Sequence, residues 1–142
     1  MFGILIALLS GALMSIQGVF NTEATKSTSL WVATSFVQFS ALIVCLIAWF
    51  FTGRESFGAL FAMPRKWALL GGVIGAFITV TVIRSVAALG PARSAMLIVV
   101  SQLLVSYIIE LLGWFGVDKQ PFEWKKAGGM FLAIIGIVIF KW

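Results

Sequence analysis

PARSAMLIVVSQLLVSYIIELLGWFG, residues 91–116, is the stretch that decides how this chain is read. It is apolar enough to sit in lipid, yet Ser94, Gln102, Ser106 and Glu110 recur along it at multiples of four. On a helix that spacing is expected to stack them on one face. Hydrocarbon offers polar groups no hydrogen bonds, so the stripe should face another helix or a wet cavity. Glu110 is the only acid inside any apolar run of the sequence. At a bilayer centre an acid costs roughly 2.5–3.5 kcal/mol on insertion scales. Two readings fit: a helix–helix seam glued by side-chain hydrogen bonds, or the wall of a substrate path.

The apolar character is not confined to that stretch. The chain is 61% hydrophobic and 11% charged, with a mean hydropathy of +1.10. A soluble domain of 142 residues cannot hide that much apolar surface. The expected fold is an all-α integral membrane protein: a single transmembrane domain, residues 1–142, with five spans at about 2–20, 30–51, 67–89, 92–115 and 124–142. Each is long enough for ~30 Å of hydrocarbon at ~1.5 Å per residue.

Without His, and with one Cys, the chain cannot build a His-based triad, a zinc centre or an iron–sulfur site by itself. No nucleophile–base pair is visible, so no enzyme, cofactor or metal is expected. Cys45, in the middle of the second run, reads as a small buried core residue. The net charge of +5 is spread mostly over the ends of apolar runs, which speaks for membrane flanks and against nucleic acid. Met1 leads straight into apolar residues with no basic n-region, so the first run is expected to be a retained helix.

Along the first run Gly3, Ala7, Gly11 and Ser15 make a smooth face for helix contact. Gln17 and Asn21 share another face, as amides tying two helices or as the rim of a pocket. Residues 22–29 read as a short polar connection. In the second run Thr34 and Gln38 share a face expected to look inward, and Trp31 and Trp49 read as interface aromatics. The loop of residues 52–66 is amphipathic enough to lie on the membrane surface. In the third run Gly71, Gly75 and Thr79 form another seam, widened by Gly72 and Ala76. Arg84 sits near its end, where it can snorkel to the headgroups. Gly90-Pro91 should break the backbone and fold runs three and four into an antiparallel hairpin with Arg93 at its tip. Gly128, Gly129 and Gly136 mark the last run for close packing.

Arg54, Arg65, Lys66, Lys119, Lys125 and Lys126 fall on the side of the N-terminus; Lys26, Arg84, Arg93 and Lys141 fall on the other. That asymmetry favours N-in. It is small, as in a chain that inserts both ways or pairs with an oppositely oriented partner. Two inverted five-span copies would enclose a central site, as inverted repeats do in transporters. Arg84 lies about 10 Å from the hairpin tip and Glu110 about 30 Å from it. The two are expected to compensate each other only across an inverted pair.

Gly11, Gln17 and Asn21, the Gly71-Gly72 pair with Gly75, Leu89-Gly90, Gln102, Glu110-Leu111-Leu112-Gly113, and Gly128-Gly129 with Gly136 together resemble the YdcZ-type family. That family is a five-span, half-size branch of the drug/metabolite transporter superfamily. Two positions depart from its usual pattern: Glu110-Leu111 stands where Asp-His is common, and Ser101 where Gly precedes the glutamine. The resemblance implies a bacterial inner-membrane location and work as an antiparallel homodimer, as a pair of related half-size chains or as a fused double-length protein. The expected function is secondary transport of a small metabolite or drug. Gln17, Asn21, Gln38, Gln102 and Ser106 are the candidate substrate-binding residues. Glu110 and Arg84 are candidates for ion pairing or proton coupling, since burial favours the neutral form of a carboxyl group. The first run lacks a carboxylate, and an amide-rich lining suits a neutral or zwitterionic solute. The alternative is a non-transporting subunit that docks onto and stabilises another membrane protein.

Overall fold

A computed structural model describes residues 1–141. The described residues are helical or looped, with no strand. The helices are α1 (Phe2–Ser27), α2 (Leu30–Thr52), the single turn α3 (Gly58–Phe61), α4 (Gly71–Leu89), α5 (Pro91–Leu112) and α6 (Trp124–Lys141). Among the described residues, four stretches are long and apolar enough to cross a membrane: Phe2–Ser27, Leu30–Thr52, Lys66–Leu89 and Pro91–Leu112. The third of these adds a 3-10 segment, Lys66–Leu70, to α4. Helix α6 has 18 residues, with Lys125 and Lys126 in its first turn. Large apolar side chains such as Phe36, Phe51, Phe77 and Leu132 are exposed. An outer surface of that kind belongs in lipid, and the protein is an all-α integral membrane protein.

Helix α1 does not stop where its apolar run stops, at Phe20. It continues through residues expected to be a loop. The Thr22 hydroxyl donates to the Gly18 carbonyl at 2.7 Å, and the Thr25 hydroxyl donates to the Asn21 carbonyl at 2.8 Å. Glu23 and Lys26 pair at 2.7 Å one turn apart. These local bonds suit a helix as well as a loop, and they extend it to Ser27. Ser29 then caps α2, its side chain accepting from the Val32 amide at 3.3 Å.

At the far end of α2 the chain turns through Arg54, which has a φ of 54°. A left-handed non-glycine residue costs free energy, and Arg54 offsets it locally. Its Nε donates to the Phe50 carbonyl at 3.1 Å, and its guanidinium lies 4.0 Å from the centre of the Phe50 ring. Trp49 pins the same loop by donating from Nε1 to the Glu55 carbonyl at 2.9 Å.

Helix α5 is shorter than its apolar run. It ends at Leu112 because Gly113 takes a left-handed φ of 66° and its amide returns to the Ile109 carbonyl. Trp114–Gly116 follows as a separate 3-10 turn. At its start, Gly90 alone separates α5 from α4, at a φ of 81°, with Pro91 in the first helical turn.

The chain divides into two compact units, Met1–Ala88 and one beginning at Leu89. In the first unit α1 approaches α4 at Gly18. A Cβ there would meet Val82 Cγ1 at 3.3 Å and Val86 Cγ2 at 3.5 Å. Ala33, Val80 and Ile83 form the small apolar core. In the second unit α5 and α6 fold back on each other, with Tyr107 buried between them and the connecting loop.

The glycines of the faces expected to be seams have open space beside them, although Thr79 of the third-run face meets Gln38 of α2. A Cβ at Gly3, Gly11, Gly71, Gly72, Gly75, Gly128, Gly129 or Gly136 would meet nothing within 4 Å. Cys45 also departs from expectation: it is exposed. Its place in an apolar run made it look like core, but in a membrane helix the outward face is as apolar as the inward one.

Candidate functional site

The first unit gathers polar groups near the α1–α2 turn. Counted from Ser27 and Leu30 at 1.5 Å per residue, Asn21, Thr34, Gln38 and Gln17 lie about 6 to 15 Å from the helix ends. Asn21 is 7% exposed and Thr34 4%. Gln38 is half-buried, and its Nε2 donates to Thr79 Oγ1 on α4 at 3.4 Å. Thr79 in turn donates to the Gly75 carbonyl at 3.0 Å. Gln17 is exposed, one turn from Asn21.

Thr34 differs from its neighbours. The hydroxyls of Thr22, Thr25, Thr28, Thr52, Thr79 and Thr81 each donate to the carbonyl four residues back. Among the described residues, Thr34 Oγ1 is the buried side-chain oxygen with no partner. A buried hydroxyl without a partner costs about 1–3 kcal/mol, so a polar ligand or second chain that meets it would recover that cost. Nothing in the sequence separates Thr34 from the other threonines except its shared face with Gln38. Thr79, the partner of that glutamine, was legible only as part of a small-residue seam.

In the second unit the stripe along α5 does not stay on one face. Four residues overshoot one 3.6-residue turn by about 40°, so Ser94 and Glu110 point about 160° apart. Ser94 is fully buried, Gln102 and Ser106 are exposed, and Glu110 is half-buried. The candidate residues thus fall into two groups: Gln17, Asn21 and Gln38 in the first unit, Gln102, Ser106 and Glu110 in the second.

Glu110 also has a cation within its own chain. Its Oε2 lies 3.7 Å from Lys126 Nζ, and the same ammonium meets Glu123 Oε1 at 3.1 Å. The side chains of Glu110 and Lys126 are 43% and 42% exposed, so the pair is solvated and weak. The Glu110 carbonyl accepts from the Gln120 amide at 2.9 Å, and Tyr107 Oη accepts from the Glu123 amide at 3.0 Å. Lys126 was missed at the sequence level, where it read as a flanking charge. The signal was available: residues 110 and 126 are equidistant from Asp118, in the middle of the turn. Arg84 is exposed on α4, and among the described residues it forms no ion pair.

Residues 2–139 match the family described as "Putative inner membrane exporter, YdcZ", and the chain belongs to that family. It is also similar to the inner membrane protein YdcZ of Escherichia coli (strain K12), with 23% identity over 127 residues, 88% of this chain and 85% of that protein. No solved structure matches the chain. The resemblance read from the sequence is borne out. The protein is a multi-pass protein of the bacterial inner membrane, and its family is one of transporters rather than enzymes.

Proposed function

We propose that the chain is a secondary transporter of a small neutral or zwitterionic metabolite or drug, working by alternating access between two inverted copies. Helix α6 serves as the fifth span, with its lysines at the headgroups. Gln17, Asn21 and Gln38 of the first unit, with Gln102, Ser106 and Glu110 of the second, line the shared chamber. Arg84 of one copy meets Glu110 of the other.

The observation that carries this reading is the buried, unpartnered Thr34 hydroxyl in the same unit as buried Asn21 and the Gln38–Thr79 bond. Polar groups within apolar spans are costly unless they serve helix contact or solute. The open glycine faces support the second copy, because close backbone approach is what such faces permit. The same faces suit the alternative, a subunit that stabilises another membrane protein.

Reconstitution of the purified chain into liposomes separates the two. Solute-dependent uptake or current on a solid-supported membrane is expected. Silence across a broad solute panel, with a stable co-purifying protein, would establish the alternative instead.

A further inference from the structure

We infer that the groove formed by Leu89, the start of α5 and the end of α6 binds an anionic phospholipid, with its phosphate at Arg93 and an acyl chain along the apolar wall. The inference is independent of the transport reading. The cavity measures about 140 Å³ and is lined by Leu89, Arg93, Met96, Leu97, Ile137 and Phe140. Five walls are apolar and one is a cation. Leu89, Leu97 and Phe140 are each substantially exposed, so the groove opens to the surroundings of the helices.

Charge complementarity selects the occupant. Among the described residues Arg93 forms no ion pair. It lies in the first turn of α5, whose N-cap, Gly90, offers no side-chain cap. The positive end of the helix therefore adds to the guanidinium field. A free anion would satisfy Arg93 but leave the apolar walls uncovered. An uncharged chain would cover the walls but leave Arg93 without a counter-charge. A phospholipid does both, and Arg93 sits at the end of a membrane-spanning helix, where lipid phosphates lie. A lipid of net negative charge is preferred, since a zwitterionic headgroup brings its own cation to compete.

Native mass spectrometry of the full chain, with phosphatidylglycerol and phosphatidylcholine added in equal amounts, tests this. The unaltered chain should retain phosphatidylglycerol by roughly fivefold, the effect of one basic residue at an anionic surface. Arg93→Gln should bring the ratio close to one, Arg93→Lys should keep most of it, and Ile137→Trp should reduce binding of both lipids. Circular dichroism and monodispersity of each variant establish that it is folded. Unchanged phosphatidylglycerol retention in folded Arg93→Gln overturns the inference. So does displacement of the lipid by millimolar inorganic phosphate, which marks an anion site without a chain. Loss of a dimer in Ile137→Trp with lipid retention intact also overturns it, assigning the groove to a second copy.

Discussion

The Glu110 carboxylate and the Lys126 ammonium stand 3.7 Å apart across the turn that joins α5 to α6. The one acid inside an apolar run therefore has a mate in its own chain, and Lys126 keeps a second acid, Glu123, at 3.1 Å. Glu110→Gln leaves that second bond in place. Because the pair is largely solvated, the variant should unfold within a few degrees of the parent in detergent. In liposomes it should lose stimulation of uptake by a proton gradient while keeping solute counterflow. Unchanged gradient dependence assigns Glu110 to ion pairing alone.

The inverted pair makes a separate demand on the same acid. Arg84→Glu should lower the yield of cross-linked dimer, and adding Glu110→Arg should restore it. Failure of that rescue leaves Lys126 as the mate of Glu110 and removes the Arg84 contact.

Glycines on one helix should respond differently. At Gly18 a new side chain meets Val82 and Val86. Gly18→Leu should cost about 1–3 kcal/mol by overpacking, read as a fall in detergent melting temperature. Gly11 is open within the chain. Gly11→Leu should leave the melting temperature of the monomer unchanged and weaken self-association, measured by cross-linking in vesicles. Intact self-association excludes that face from the interface between copies.

Thr34→Val removes a buried hydroxyl that has no partner. Stability should hold or rise slightly, since an unsatisfied polar group is replaced by an apolar one of similar shape. Transport should fall if the hydroxyl meets solute. A variant as active as the parent removes Thr34 from the solute path.

Tyr107→Phe deletes the hydroxyl that accepts from the Glu123 amide and reaches its carbonyl. The expected loss is about 1 kcal/mol, with faster hydrogen exchange at Glu123 and the preceding loop. Unchanged exchange there means the loop is held by the Phe122 and Trp124 rings, 5.1 Å apart, instead.

The sequence made the helices and the membrane legible because apolar runs bounded by charges have few other solutions. It misplaced their ends where local bonding decides. Thr22, Thr25 and Glu23–Lys26 prolong α1, and the left-handed Gly113 shortens α5. The α5 stripe misled because a four-residue step drifts around a helix. Residues Ser94 and Glu110 share a spacing but not a face. Pairings across turns, such as Glu110 with Lys126 and Gln38 with Thr79, depend on how helices fold back, which linear periodicity does not encode.

The overrun of α1 past Phe20 carries a practical consequence. About 10 Å of helix, from Asn21 to Ser27, stands beyond its hydrocarbon-length run before the chain reverses. That short mast lifts Thr28 toward the aqueous phase, whereas Cys45 lies within the α2 span. A thiol installed at Thr28 is thus a beacon for water-borne maleimides, on both faces of the membrane where copies lie inverted, against a native thiol within the α2 span.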